Sequence, residues 1–309
     1  MGPEQIGVAA GLATSVSWVA SAIAFTAAAR RLGAVGVNAA RLLFAVVMLG
    51  VTHRVLFGTY WPETGHAQLA YLALSGLVGL TICDQCLFSA FLDAGPRLVL
   101  LVMTTSPLFA LLFGGLVLGE RVGLLALLAV LVTLAGVAWV VGERRTGGRP
   151  RAPSWRRGVL LAVAASALQA AGSMLSKRGI GHGVVPPERY LDPQAATLVR
   201  MTFGALGMIP IVLWSRRRAG RRAPPIEGRV ARGLMLAAVG AVFGPFLGVW
   251  ASLVAFDRLD IGIAQTLCSL SPVLILPAIP WLEGERVSAR AVLGAIVAVA
   301  GSALLVATL

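Results

Sequence analysis

Apolar residues run along this chain in blocks that are long, continuous and separated by short polar breaks. Windows of about 20 mostly apolar residues, the length that crosses roughly 30 Å of hydrocarbon, fall at 6–27, 37–56, 69–91, 97–118, 122–141, 157–177, 195–214, 231–255, 262–282 and 288–308. The pattern predicts an all-α polytopic membrane protein with ten transmembrane helices. Barrel strands would be shorter and would alternate between apolar and polar residues. The first window has no basic lead-in and no clear cleavage site before Arg30, so it reads as a retained span rather than a signal peptide.

The pattern also repeats. Ser106–Val122 reads SPLFALLFGGLVLGERV, and Ser271–Val287 reads SPVLILPAIPWLEGERV, 165 positions later. At the same offset Gly79 meets Gly244, Ala90-Phe91 meets Ala255-Phe256, Leu128 meets Leu293 and Gly136 meets Gly301. Earlier in each half, Arg41 and Phe44 correspond to Arg200 and Phe203, and laying Gly7 over Gly158 brings Trp18 onto Gln169. The chain therefore divides into a first five-helix repeat over 1–145, an Arg/Pro/Gly-rich linker over 146–156, and a second repeat over 157–309. Five is odd, so the second repeat enters the membrane from the opposite side. Inverted repeats of this kind are a recurring plan of secondary transporters, with the substrate site at the midplane between them.

Composition agrees. Hydrophobic residues are 58% of 309 and charged residues only 13%, with a mean hydropathy of +0.86; a soluble domain carries about 25% charged residues. The net charge of +13 is not a nucleic-acid signal, because it is concentrated in two loops. Six arginines lie in 142–157 and seven in 215–232, two spans apart and so on one face. Short Arg-rich loops mark the cytoplasmic side, with some contact to anionic lipid. On that count both termini lie outside. The three cysteines fall inside apolar windows, so no extracellular disulfide framework is expected.

The duplicated set of Pro107, Gly119-Glu120 and Gly136, and of Pro272, Gly284-Glu285 and Gly301, resembles the EamA-type transporters of the drug/metabolite transporter superfamily. The resemblance covers nearly the whole chain. It implies two five-helix repeats, cytoplasmic termini (against the arginine count), and export of amino acids, other metabolites or toxic compounds.

Several residues are candidates for the transport pathway. Asp84 is the only acidic residue well inside a window; a carboxylate in hydrocarbon costs about 3 kcal/mol on insertion scales, and it suits proton coupling or helix-to-helix attachment. Arg41 and Arg200 must reach a carboxylate, water or lipid phosphate, so either binds an anionic substrate group, holds Asp84 or snorkels. Trp18, Gln169 and Gln265, with Ser17, Ser21 and Ser173, could line a cavity. The Ser106-Pro107 and Ser271-Pro272 pairs predict helix breaks that free the carbonyls of Met103 and Cys268. Gly240, Gly244 and Gly248 suit close helix packing. Glu120 and Glu285 are expected to set the start of the helix that comes after each of them. Cys83 and Cys86 do not complete a tetrahedral metal site, and His53, His66 and His182 lack ligand spacing, so neither metal nor cofactor is expected.

These features favour a secondary active exporter of small organic metabolites or drugs, working by alternating access with proton coupling at Asp84, in a bacterial-type plasma membrane. No phosphate-binding loop suggests ATP driving. The expected partners are a small-molecule substrate, membrane lipids and protons, with a homodimer left open and nucleic acid not expected. A lipid scramblase or a channel is the alternative, though no filter motif is visible. An intramembrane enzyme would need paired aspartates, a nucleophile with its base, or a metal triad.

Overall fold

The computed structural model describes residues 2–94, 99, 102–142, 155–219, 227–274 and 288–307, and every regular element among them is helical. Seven stretches are long and apolar enough to cross a membrane: Pro3–Phe25, Val35–Phe57, His66–Leu87, Trp155–Ile180, Pro193–Arg217, Val230–Arg258 and Ala289–Val306. Ser106–Leu118 and Leu124–Trp139 are apolar but shorter. The first two windows join without a loop in α1 (Pro3–Phe57), which bends at Gly33, where φ is 72°. A glycine tolerates that left-handed value without strain.

Beyond α1 the chain runs through α2 (His66–Gly76), a π-helical turn at Leu77–Ile82, α3 (Cys83–Ala94), α4 (Ser106–Phe113), a second π turn at Gly114–Leu118, α5 (Leu124–Gly142) and α6 (Trp155–Ile180). After these come α7 (Pro193–Ala219), α8 (Glu227–Ala241), a third π turn at Val242–Gly248, α9 (Val249–Arg258), α10 (Ile261–Cys268), α11 (Ser271–Leu274) and α12 (Ala289–Val306). The π turns at 77–82 and 242–248 begin 165 positions apart, at equivalent places in the two halves.

Large apolar side chains point outward. Leu43, Val47, Val51 and Val55, one turn apart on α1, are exposed, as are Leu124, Leu128 and Leu131 on α5. The buried faces instead hold many small residues, such as Ala162, Ala165 and Ala170 on α6. In lipid there is no hydrophobic gain in hiding Leu from its surroundings, so helices associate through small residues that admit close backbone approach.

The two Ser-Pro pairs differ from the expected kinks. The windows 97–118 and 262–282 are divided by turns at Thr104–Thr105 and Ser269–Leu270. The Val102 carbonyl accepts from the Thr105 N–H and the Thr266 carbonyl from the Ser269 N–H, both at 3.0 Å. Ser106-Pro107 and Ser271-Pro272 then open α4 and α11, where the missing proline N–H leaves no bond unmade. Cys268 ends α10, so its carbonyl is a terminal one rather than one freed by proline. Pro277, Pro280 and the Gly284-Glu285 turn lie outside the described residues.

Contacts between the halves come in twins. Cβ atoms added to Gly7 would strike Arg258 and Leu259; added to Gly158, they would strike Asp93 and Ala94. The Thr14 hydroxyl donates to the Gly248 carbonyl, and the Cys83 thiol to the Ala165 carbonyl, each at 3.2 Å. Gly79 abuts Gly172, and Gly244 abuts Ser21. Under the offsets read from the sequence, each contact becomes its partner when the halves trade places. The helices α5 and α12 pair directly: a Cβ on Gly136 would lie 2.7 Å from the Gly294 carbonyl oxygen, and one on Gly301 would lie 2.6 Å from Thr133 Oγ1. One index rises as the other falls, so these two equivalent helices run antiparallel.

Candidate functional site: a buried charge triad

The π turn at Leu77–Ile82 ends where Asp84 begins α3. A π turn inserts a residue into the helix and re-aims the side chains beyond it, and such turns recur at functional sites. Asp84 is 8% exposed and forms a contact ion pair with Arg41. Arg41 is oriented by its own helix: its Nε donates to Asn38 Oδ1 one turn earlier at 2.8 Å, and its guanidinium lies 5.6 Å from the centre of the Phe25 ring. Arg41 thus meets a carboxylate within the chain, that of Asp84.

Arg200 approaches from α7. It is 2% exposed, and its guanidinium lies in the gap left by two glycines. A Cβ on Gly79 would lie 2.8 Å from Arg200 Nη2, and one on Gly172 would lie 3.6 Å from it. The turn is fixed to α7 by Thr81, whose hydroxyl donates to the Gly204 carbonyl at 2.9 Å. Arg200 also lies within electrostatic range of Asp84, yet its buried Nε has no hydrogen-bond partner among the described residues. The repeat-related arginines are therefore not equivalent in use, because Asp84 has an apolar counterpart, Val249, in the second half.

The expected polar lining falls into two groups along α6. Gln169 accepts from the Cys83 thiol at 3.7 Å, beside Asp84. Ser173, one turn on, donates to Gln265 Oε1 at 2.9 Å. Trp18 sits apart, its indole 2.9 Å from where a Cβ on Gly248 would be. Trp18 against Gly248 and Gln169 against Cys83 are themselves twins. Ser106 is buried, and its hydroxyl has no partner among the described residues. Ser271 instead donates to the Ser15 carbonyl at 3.0 Å. No group of three or more His, Cys, Asp or Glu side chains suited to a metal occurs among the described residues.

A second charged cluster was not anticipated. Lys177, the only lysine in the chain, bonds Glu120 Oε1 at 2.5 Å and the Leu259 carbonyl at 2.6 Å. The other Glu120 oxygen accepts from the Ile261 N–H at 2.8 Å. Glu120 thus caps α10 of the second half and does not set the next helix in sequence. Gly119, at φ 72°, reverses the chain, and Gly114 has no side chain to obstruct the returning carboxylate. The sequence signal was the identity of Lys177 itself, one lysine where every other basic position is arginine.

Small-residue helix packing, outward apolar faces and a charged centre between two related halves mark a membrane protein built on an internal repeat. The family model described as the EamA-like transporter family matches residues 5–142 and again 156–307. The chain belongs to that family, within the drug/metabolite transporter superfamily, and is a multi-pass membrane protein built from two of its repeats. A solved structure described as "Crystal structure of protein" shares the fold, with a TM-score of 0.73 and 22% identity over 96% of this chain and 94% of that one. No curated protein matches the chain.

Proposed function

We propose that this protein is a secondary active exporter of small organic metabolites, amino acids or drugs, working by alternating access between two inverted five-helix repeats. The observation that carries the reading is the twinned interface. Equivalent helices in antiparallel contact are related by a two-fold axis across the helices, which for spanning helices lies in the membrane plane. Exchanging the two halves' conformations about such an axis turns an opening on one face into an opening on the other. The triad of Asp84, Arg41 and Arg200 lies where the halves meet and is the substrate and coupling centre, with Asp84 as the group that carries the proton. Arg31 packs beside Gly233, six residues after the Arg-rich start of α8 at Glu227, which supports a common Arg-rich cytoplasmic end with both termini outside. The membrane is a bacterial-type plasma membrane, and a homodimer is compatible with the exposed apolar faces.

The test is flux from proteoliposomes loaded with amino acids, amines and common metabolites, with and without a pH gradient, for wild type and Asp84→Asn. The reading expects protein-dependent efflux of one compound class, driven by the gradient in wild type only. Equal flux in both proteins removes Asp84 from coupling. Movement of labelled lipids with no solute flux would replace export by lipid handling.

A further inference from the structure

We infer that Arg200 is the anchor for a single carboxylate on the transported molecule; this rests on the transporter reading above. Two guanidiniums act electrostatically on one carboxylate, and Asp84 is already in contact with Arg41. One positive charge is left over among side chains that are largely buried. Arg does not shed its proton, so the balance is restored by an anion rather than by deprotonation. The surplus charge sits on Arg200, which is buried and keeps a donor, Nε, with no partner among the described residues.

Local structure fixes where the guanidinium lies, and its donor without a partner among the described residues is what points to docking. Gly79 and Gly172 leave the guanidinium room that a side chain on either would take. The planar fork of Arg, with Nε and a terminal nitrogen side by side, matches the two oxygens of a carboxylate. The single surplus charge also selects among anions. While Asp84 is ionised and paired with Arg41, a monocarboxylate, or the carboxylate end of an amino acid, neutralises the site, whereas a phosphate dianion over-fills it. An amine without a carboxylate would add to the positive surplus. The cargo class is therefore small monocarboxylates and amino acids, not simple amines.

Purified protein would be assayed twice, by ligand-induced thermal stabilisation and by exchange in proteoliposomes. The probes are leucine, 4-methylpentanoate, leucinamide and 3-methylbutylamine, together with the corresponding alanine and phenylalanine series. Leucine-type and carboxylate-only probes should stabilise and exchange, while amides and amines should not. Arg200→Gln should weaken carboxylate binding at least about tenfold, and Arg200→Lys should do the same because it keeps the charge and loses the fork. If Arg200→Gln fails to fold, Arg200→Lys carries the comparison, with an unchanged ligand-free melting temperature as its control. Amides or amines that bind as well as carboxylates overturn the assignment, as do Arg200 variants with unchanged carboxylate affinity or no stabilisation by any carboxylate. Carboxylate binding through Arg200 without exchange would uphold the site and sink the transporter reading; exchange that ignores the carboxylate would do the reverse.

Discussion

Gly136 and Gly301 occupy equivalent places in the two halves, and each presses against the helix that carries the other. Gly136 meets Gly294 and Ala298, and Gly301 meets Thr133. Neither site has room for a methyl group. Gly136→Ala or Gly301→Ala should each destabilise the protein by about 1–3 kcal/mol through overpacking. Gly50, with nothing within 4 Å of its missing Cβ, is the control, and Gly50→Ala should change stability by no more than about 0.5 kcal/mol. Thermal unfolding in detergent measures all three.

The Lys177–Glu120 pair joins α6, the turn before α5 and the start of α10. Both side chains are nearly buried, at 8% and 9% exposure. Removing one partner of such a pair leaves an uncompensated charge and costs about 3–5 kcal/mol. Lys177→Met and Glu120→Gln should each be strongly destabilising. The double variant should lose markedly less than the two single losses combined. Additive losses in a double-mutant cycle would show that the pair is not coupled.

Arg41 and Asp84 obey the same logic. Arg41→Met should lower stability and folded yield more than Asp84→Asn, because it exposes Asp84 to hydrocarbon with only Arg200 nearby. Combining Arg41→Met with Asp84→Asn should recover part of the loss. A double variant no better folded than Arg41→Met alone would mean that Arg200 already compensates Asp84.

Much of this organisation was legible in the sequence because it rests on repetition and on polarity. The 165-residue offset between Ser106-Pro107 and Ser271-Pro272 located the paired glycines before any contact was known. Asp84, Arg41 and Arg200 stood out because charge in an apolar window is costly, yet pattern alone left both arginines with the same alternatives. What separated them was tertiary: Asn38 turns Arg41 toward Asp84, while the glycine gap admits Arg200. Glu120 was misassigned for a related reason. Local rules point a carboxylate at the next helix in sequence, but Gly119 sends this one across to Ile261. Proline was ambiguous in the same way, since a helix start and a helix kink have the same local sequence.

Alternating access is tested most directly by the sidedness of the centre. In a background with Cys83, Cys86 and Cys268 replaced, Gln169→Cys places a thiol beside the triad, and a membrane-impermeant reagent is added from each face in turn. Alternating access predicts reaction from both sides, with the two rates moving in opposite directions when a transported solute or an imposed pH gradient shifts the protein between its two states. Rates that rise together would describe an open pore, and reaction from one side under every condition would contradict a carrier.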